Sequence, residues 1–110
     1  METIKSSEEI EFLFKNGRRY NSLYITLIVY ESARQHDQRG RVAFIAGKKL
    51  GNAVWRNAAK RRMRAIYQEI RPSSSHLDII FLAKSGILKA SYSKVLKTCE
   101  IALHKAVVGE

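Results

Sequence analysis

The stretch WRNAAKRRMRAIYQE, Trp55 to Glu69, carries five cationic side chains and a single acidic one. At about 100° per residue, its apolar side chains fall on one side of a helix and most of its cations fall on another. The apolar stripe contains Trp55, Ala59, Met63, Ile66 and, just beyond the stretch, Ile70; the basic face contains Arg56, Asn57, Lys60, Arg61 and Arg64. The stretch therefore predicts an amphipathic helix that packs through one stripe and exposes cations on a separate face.

Two further helices are predicted near the ends of the chain. Ser6, three residues before a glutamate, resembles the start of a capping box for a helix over residues 7–16. Pro72 ends the basic helix near residue 71. A last helix over residues 91–108 places its apolar stripe on Val95, Leu96, Cys99, Ala102, Leu103 and Ala106.

Extended patterns separate these helices. Runs rich in β-branched and aromatic side chains predict strands over residues 22–31 and 41–46, which we expect to pair as an antiparallel hairpin. A short, uniformly apolar run predicts a buried strand over residues 77–84. The order α β β α β α indicates one α+β domain over residues 1–110, with helices packed on a small, mostly antiparallel sheet.

The composition indicates a globular, strongly basic protein. Its 110 residues include 20 Lys and Arg against 10 Asp and Glu, for a net charge of +10, and 45% are apolar. Such a field on a small domain attracts polyanions, so nucleic acid is the first expected partner. No apolar run approaches the roughly 20 residues of a spanning helix and no signal peptide is visible, which favours a cytoplasmic protein without a membrane partner. The single Cys99 excludes an internal disulfide.

The basic face has two interpretations, a solubilising surface or a binding surface. Solubilising helix faces usually alternate acids with bases, whereas Arg56, Lys60 and Arg64 repeat the same charge at i and i+4. These cations repel one another by a few tenths of a kcal/mol per pair, a cost that an external anion would remove. The pattern therefore favours a binding surface for a polyanion.

The loop before the helix extends this surface. Lys48 and Lys49 follow a predicted strand, and Gly51 suits a tight turn, so two ammonium groups and backbone amides converge where phosphate binds well. Asn57 offers a donor and an acceptor, which suits base or ribose edges, although it could equally cap a helix. No Walker or dinucleotide-binding pattern is present.

Residues of this loop and helix stand at a recognisable spacing: Lys48, Lys49, Gly51, Ala53, Arg56, Asn57, Lys60, Arg61 and Arg64. The spacing resembles the signature S-K-K-x-G-x-A-x-x-R-N-x-x-K-R-x-x-R of the protein subunit of bacterial ribonuclease P, with Gly47 in place of the leading Ser. A second element, Phe14, Lys15, Gly17, Arg18, Arg19 and Tyr20, resembles the F-K-x-G-R-R-[FY] of the same family.

The resemblance implies a ribonucleoprotein endoribonuclease that removes the 5′ leader of precursor tRNA. It implies that the RNA subunit is the catalyst, that no protein side chain is catalytic, and that the protein alone binds no cofactor, with Mg²⁺ mainly on the RNA. It also implies a four-stranded sheet with a left-handed βαβ crossover. Since only three strands are predicted here, the fourth would come from a break within residues 20–32 or from the segment near Lys48.

The resemblance also implies two sets of binding residues and two partners, the catalytic RNA and precursor tRNA, with no role for DNA. For the catalytic RNA these are Lys48, Lys49, Arg56, Asn57, Lys60, Arg61 and Arg64. For the leader, in a cleft between the first helix and the sheet, they are Phe14, Arg18, Arg19 and Tyr20. Ile10 and Ile28 stand where aromatic residues are common in the family, so Tyr20, Tyr24 or Tyr30 could instead carry the stacking contacts.

Independent catalysis and other functions have weaker support. His36, His76, His104, Asp37 and Asp78 show no ligand spacing for a metal or an acid–base pair. The main alternative is a non-catalytic ribosomal RNA-binding or assembly protein, which would use the same basic helix. A helix-turn-helix DNA-binding module is disfavoured because strands flank the basic helix. The last helix, lined by Lys94, Lys97 and Lys105, could bind a membrane or a partner protein.

Overall fold

The described part of the computed structural model, residues 2–31, 40–71 and 77–108, contains three α-helices and a five-stranded sheet. In chain order the elements are β1 (Glu2–Thr3), α1 (Ser7–Asn16), β2 (Arg18–Asn21), β3 (Ile25–Glu31), β4 (Arg41–Ile45), α2 (Ala53–Ile70), β5 (Leu77–Ala83) and α3 (Tyr92–Val108). Short 3₁₀ helices lie at Lys48–Leu50 and Ser85–Leu88. All three predicted helices are confirmed, whereas Pro72 lies outside the described residues.

The sheet is mixed, with the strand order β1-β4-β5-β3-β2. β3 pairs antiparallel with β2 and with β5. β4 pairs in parallel with β1 and with β5. The helix α2 connects β4 to β5 and so forms the parallel crossover. The predicted hairpin between residues 22–31 and 41–46 is therefore wrong, because β5 lies between these strands. Apart from Asp78, the run LDIIFLA of β5 is apolar on both faces, and the centre of the sheet is the position that buries both.

Two strands are additional to the three predicted ones, β1 and β2, so the sheet has five strands and not the expected four. Because β2 comes from residues 18–21, the expected break within residues 20–32 is confirmed and the alternative near Lys48 is not. Ser22 makes the break: its hydroxyl donates to the carbonyl of Ile25 at 2.6 Å and accepts from the amide of Ile25 at 3.2 Å. This local turn lets β2 fold back antiparallel on β3. The segment Lys48–Leu50 is a 3₁₀ helix.

The larger core lies on the sheet face that α2 and α3 cover. Ala59, Met63 and Ile66 of α2 are fully buried there against Phe81 of β5, as the predicted stripe requires. From α3, the predicted Val95, Cys99 and Leu103 are buried in the same core. Each large apolar side chain buried in this way contributes about 1.5–3 kcal/mol relative to an exposed one. The buried stripe therefore fixes the rotation of α2 about its own axis.

The smaller core lies on the opposite face, under α1. Leu13 is 2% exposed and packs with Ile28 of β3. Arg41, at the start of β4, forms salt bridges with Glu9 of α1 and with Asp78 of β5, the latter with an Nη2 to Oδ2 distance of 3.2 Å. These ion pairs attach α1 to two neighbouring strands of the sheet.

Gly17, which joins α1 to β2, is required by close packing and not by an unusual backbone conformation. Its φ of −75° suits any residue. A Cβ atom there would lie 2.6 Å from Cγ2 of Ile28 and 2.7 Å from the carbonyl oxygen of Leu13. Any side chain would therefore push α1 away from the sheet.

We expect Gly17→Ala to lower the free energy of unfolding by about 1–3 kcal/mol, because the added methyl group overpacks this junction. Urea denaturation monitored by circular dichroism measures the change. Gly47→Ala is the matched control, since a Cβ at Gly47 meets nothing within 4 Å and its φ is −65°. Equal stability of Gly17→Ala and the wild type would contradict the packing explanation.

Candidate RNA interface

The start of α2 is fixed by a side-chain cap and a close contact. Asn52 is the N-cap, and its Oδ1 accepts a hydrogen bond from the amide of Trp55 at 2.9 Å. A Cβ on Gly51 would lie 2.9 Å from Cβ of Trp55, so only glycine lets the chain pass this close to the indole. The 3₁₀ helix that carries Lys48 and Lys49 lies directly before this N-terminus in the chain.

The predicted basic face forms one side of α2, away from α3. Arg61 and Arg64 are exposed, whereas Arg56 and Lys60 are half-buried beside the core stripe. The guanidinium of Arg64 lies 5.4 Å from the ring centroid of Phe44, a residue of β4, which shows that this side of α2 overhangs β4. Lys48 and Lys49 are exposed as well.

These cations have no internal counterions in residues 2–31, 40–71 and 77–108. The salt bridges found among those residues both involve Arg41, on the other face of the sheet. The Nε of Arg56 is buried and has no hydrogen-bond partner in the described structure. The arrangement can bind phosphates or other anions without first breaking an internal ion pair.

Arg62, the fifth cation of the quoted stretch, serves the fold. Its Nη1 donates to the carbonyl oxygens of Ile87 at 3.0 Å and Ala90 at 2.7 Å, and its guanidinium lies 6.0 Å from the ring centroid of Tyr92. Tyr92 in turn donates to a carboxylate oxygen of Glu69, and burial together with this hydrogen bond raises the pKa of Tyr92 to about 12. These contacts attach α2 to α3 on the side opposite Arg56.

Asn57 lies inside α2 and is exposed on the basic face. The alternative that it caps a helix is wrong, because Asn52 is the capping residue. The sequence offered two asparagines at the start of one helix, and the earlier one has the extended backbone that a cap needs. The amide of Asn57 is therefore available for an external partner.

The four residues that the resemblance assigned to the leader do not lie together. Arg19 stacks over Phe14 at 5.3 Å from the ring centroid, on the α1 face of the sheet. Arg18 and Tyr20 alternate with Arg19 along β2, pair with Val29 and Leu27 of β3, and so lie on the α3 face. Phe14 and Arg19 therefore lie in the candidate cleft, whereas Arg18 and Tyr20 lie on the other side of the sheet.

The other aromatic candidates are divided in the same way. Tyr30 packs against the smaller core and makes an edge contact with Phe12 at 5.1 Å, so it lies on the α1 face. Tyr24 packs against the larger core on the α3 side. Ile28 is fully buried under α1.

Groups that could perform chemistry are dispersed. No group of three or more His, Cys, Asp or Glu side chains that could bind a metal occurs among the described residues. Asp78 pairs with Arg41, and burial raises the pKa of the Cys99 thiol to about 12, so the nucleophilic thiolate is not formed near neutral pH. His36, Asp37 and His76 lie outside the described residues. None of the helices in the described ranges is long and apolar enough to cross a membrane.

The fold and the unpaired basic face define a small α+β protein with a surface suited to RNA. A family model described as Ribonuclease P matches residues 1–107. The ribonuclease P protein component of Syntrophomonas wolfei is 33% identical over 104 residues, which cover 94% of this chain and 85% of that protein. For the same component of Natranaerobius thermophilus the identity is 34% over 93 residues, covering 84% and 78%.

Solved structures share the fold. The RNase P protein of Staphylococcus aureus superposes with a TM-score of 0.81 at 23% identity, covering 96% of this chain and 95% of that one. The RNase P protein of Thermotoga maritima gives a TM-score of 0.74 at 18% identity, covering 90% and 92%. The chain belongs to the ribonuclease P protein family. Its function is that of the protein subunit of this ribonucleoprotein, which binds RNA and takes part in tRNA processing, and not that of a ribosomal protein.

The adjacent residues Arg61 and Arg62 of α2 should differ in their effect on stability. We expect Arg62→Gln to lower the free energy of unfolding by about 1–3 kcal/mol, because two carbonyl groups lose a charged donor. Arg61→Gln should change it by less than about 0.5 kcal/mol, since Arg61 is exposed and has no partner in the described ranges. Thermal or urea denaturation of both variants measures the difference. Equal destabilisation by the two substitutions would contradict the assignment of Arg62 to the fold.

Proposed function

We propose that the basic face of α2, extended by the preceding loop, binds the catalytic RNA of ribonuclease P. The residues are Lys48, Lys49, Arg56, Asn57, Lys60, Arg61 and Arg64. The observation that carries the proposal is that these cations share one side of the helix and lack counterions within the described residues. A rigid helix with fixed charges suits the regularly spaced phosphates of a folded RNA.

In this proposal the RNA subunit performs the cleavage and the protein assists it by electrostatics and positioning. The dispersed His, Cys, Asp and Glu side chains in residues 2–31, 40–71 and 77–108 do not fit a metal-dependent nuclease site. Mg²⁺ would therefore be bound mainly by RNA, where it can activate water and stabilise the leaving oxygen. By neutralising phosphates, the protein lowers the repulsion between the catalytic RNA and precursor tRNA. It would act in the bacterial cytoplasm, where precursor tRNA is made.

The unpaired leader of precursor tRNA would lie on the α1 face of the sheet. Phe14 supplies a ring for stacking, and Arg19 supplies a cation beside it at 5.3 Å from the ring centroid. Aromatic stacking on a base contributes roughly 1–3 kcal/mol and tolerates any base. Arg18 and Tyr20 face the other way and would contact RNA that has left this cleft.

Binding of the catalytic RNA should depend on salt in proportion to the number of phosphates neutralised. If about six are neutralised, the slope of log affinity against log salt is roughly −4 to −5. Replacing Arg56, Lys60, Arg61 and Arg64 with Gln should make the slope shallower by about 3 and weaken assembly of the holoenzyme. Filter binding over a salt series measures the slope.

A charge-matched control separates this surface from overall charge. Replacing the exposed Lys5, Lys15, Lys89 and Lys97 with Gln removes the same number of charges outside the basic face. This control should keep most of the wild-type slope for the catalytic RNA. Equal slopes for the two quadruple variants would contradict the assigned face.

Leader removal should require the catalytic RNA and should need less Mg²⁺ when the protein is present. We expect RNA alone to cleave only at high Mg²⁺, and RNA with protein to cleave at low Mg²⁺, because phosphate neutralisation replaces part of the ionic screening. A Mg²⁺ titration of 5′ leader cleavage measures the shift. Cleavage by the protein without RNA would overturn the proposed division of labour.

A further inference from the structure

A groove runs between α3 and the edge strand β2, mostly on the sheet face opposite α1, and ends beside Asn16 of α1 and Tyr30 of β3. It consists of three adjoining hollows with volumes of about 450, 310 and 460 Å³. Thr98 lines the first and second hollows, and Tyr20 lines the second and third, so neighbouring hollows meet at these two side chains. From Lys94 to Ala106 the groove follows α3 for about 18 Å.

The helical wall of this groove is cationic. Lys94, Lys97 and Lys105 line it and lie within an arc of about 80° on α3, and all three are exposed. No ion pair or hydrogen bond joins their ammonium groups to any residue of the described ranges. Arg18 adds a fourth cation from β2, while Glu31 lines only the last hollow. The charge pattern matches a chain of phosphates.

The opposite wall is aromatic. Tyr24 lines the first hollow, and Tyr20 lines the second and third. Both rings are half-buried against the larger core, which fixes them in place and leaves part of each ring facing the groove. Aromatic rings interleaved with cations along a groove are the usual means of binding unpaired nucleic acid regardless of sequence.

We propose that this groove binds the unpaired leader of precursor tRNA. The leader segment in the groove lies farther from the cleavage site than the segment that contacts Phe14 and Arg19. The inference rests on the proposed function of the α1 face. Arg19 lies on the α1 side of β2, whereas Arg18 and Tyr20 lie on the α3 side. Among the described strands β2 pairs only with β3, so a strand of RNA can cross its free edge from one face to the other.

The position of the groove favours the leader over the catalytic RNA. The basic face of α2 overhangs β4, near the opposite edge of the sheet, and α3 covers the other side of α2. A folded RNA seated on α2 would have to extend around the molecule to reach β2. A flexible single strand leaving the α1 face reaches the groove directly. About 18 Å accommodates on the order of five stacked nucleotides.

The test compares precursor tRNAs with leaders of about five and about fifteen nucleotides, a difference larger than the groove can hold. With wild-type holoenzyme, we expect the long leader to bind at least about fivefold more tightly. Lys97→Gln/Lys105→Gln and Tyr24→Leu should each remove most of this gain and leave binding and cleavage of the short-leader precursor unchanged. Tyr24→Phe should retain the gain, because it keeps the ring. Equilibrium binding in Ca²⁺ and single-turnover cleavage in Mg²⁺ provide the two readouts.

Lys5→Gln/Lys89→Gln is the charge-matched control, since both lysines are exposed and neither lines the groove; it should behave as the wild type. An equal affinity of wild-type holoenzyme for both leaders, or an unchanged gain in the groove variants, overturns the inference. Loss of short-leader cleavage in the groove variants assigns the groove to the catalytic RNA, and a change in their oligomeric state assigns it to a second copy of the chain. Failure of the proposed α1 site appears separately, as an unchanged affinity of a Phe14→Leu/Arg19→Gln holoenzyme for the short-leader precursor.

Discussion

Burial of β5 on both of its faces is the constraint from which the rest of the arrangement follows. Ile79 and Phe81 face α2 and α3, and Ile80 faces α1. A strand that is apolar on both faces needs a layer on each side, so helices cover both faces of the sheet. Because β5 takes the centre, β3 and β4 are separated, and β2 and β1 become the two edges.

The same constraint determines which side of α2 is free. Its buried stripe packs on the sheet. Arg62 contacts the segment that leads into α3, and Glu69 contacts α3 itself. The remaining side faces β4 and solvent, and there the cations stand without partners in the described part of the chain. Clustered like charges weaken a helix by a few tenths of a kcal/mol per pair. The strong packing of α2 tolerates that cost, and an RNA bound there, as proposed, would remove it.

Most of the local structure could be predicted from the sequence, because helix periodicity and capping depend on neighbouring residues. The stripe of Ala59, Met63 and Ile66 and the basic face of α2 are examples. Strand order could not be predicted, since the pairing of β5 between β3 and β4 depends on contacts between distant residues. The role of Arg62 was missed for the same reason: its acceptors, Ile87 and Ala90, are 25 and 28 residues away. Its position on the wheel, apart from Arg56 and Lys60, was the available signal.

The short strand β2 shows why a motif in sequence need not be one site in space. Arg18, Arg19 and Tyr20 are consecutive, yet strand alternation sends Arg19 to the α1 face and its neighbours to the α3 face. Charged residues on an edge strand often serve to prevent pairing with other chains. That role explains the two arginines but not the rings beside them, since Phe14 lies under Arg19 and Tyr20 adjoins Arg18. A cation and an aromatic ring on each side of a free edge are better explained by contact with an unpaired strand of RNA that passes over that edge.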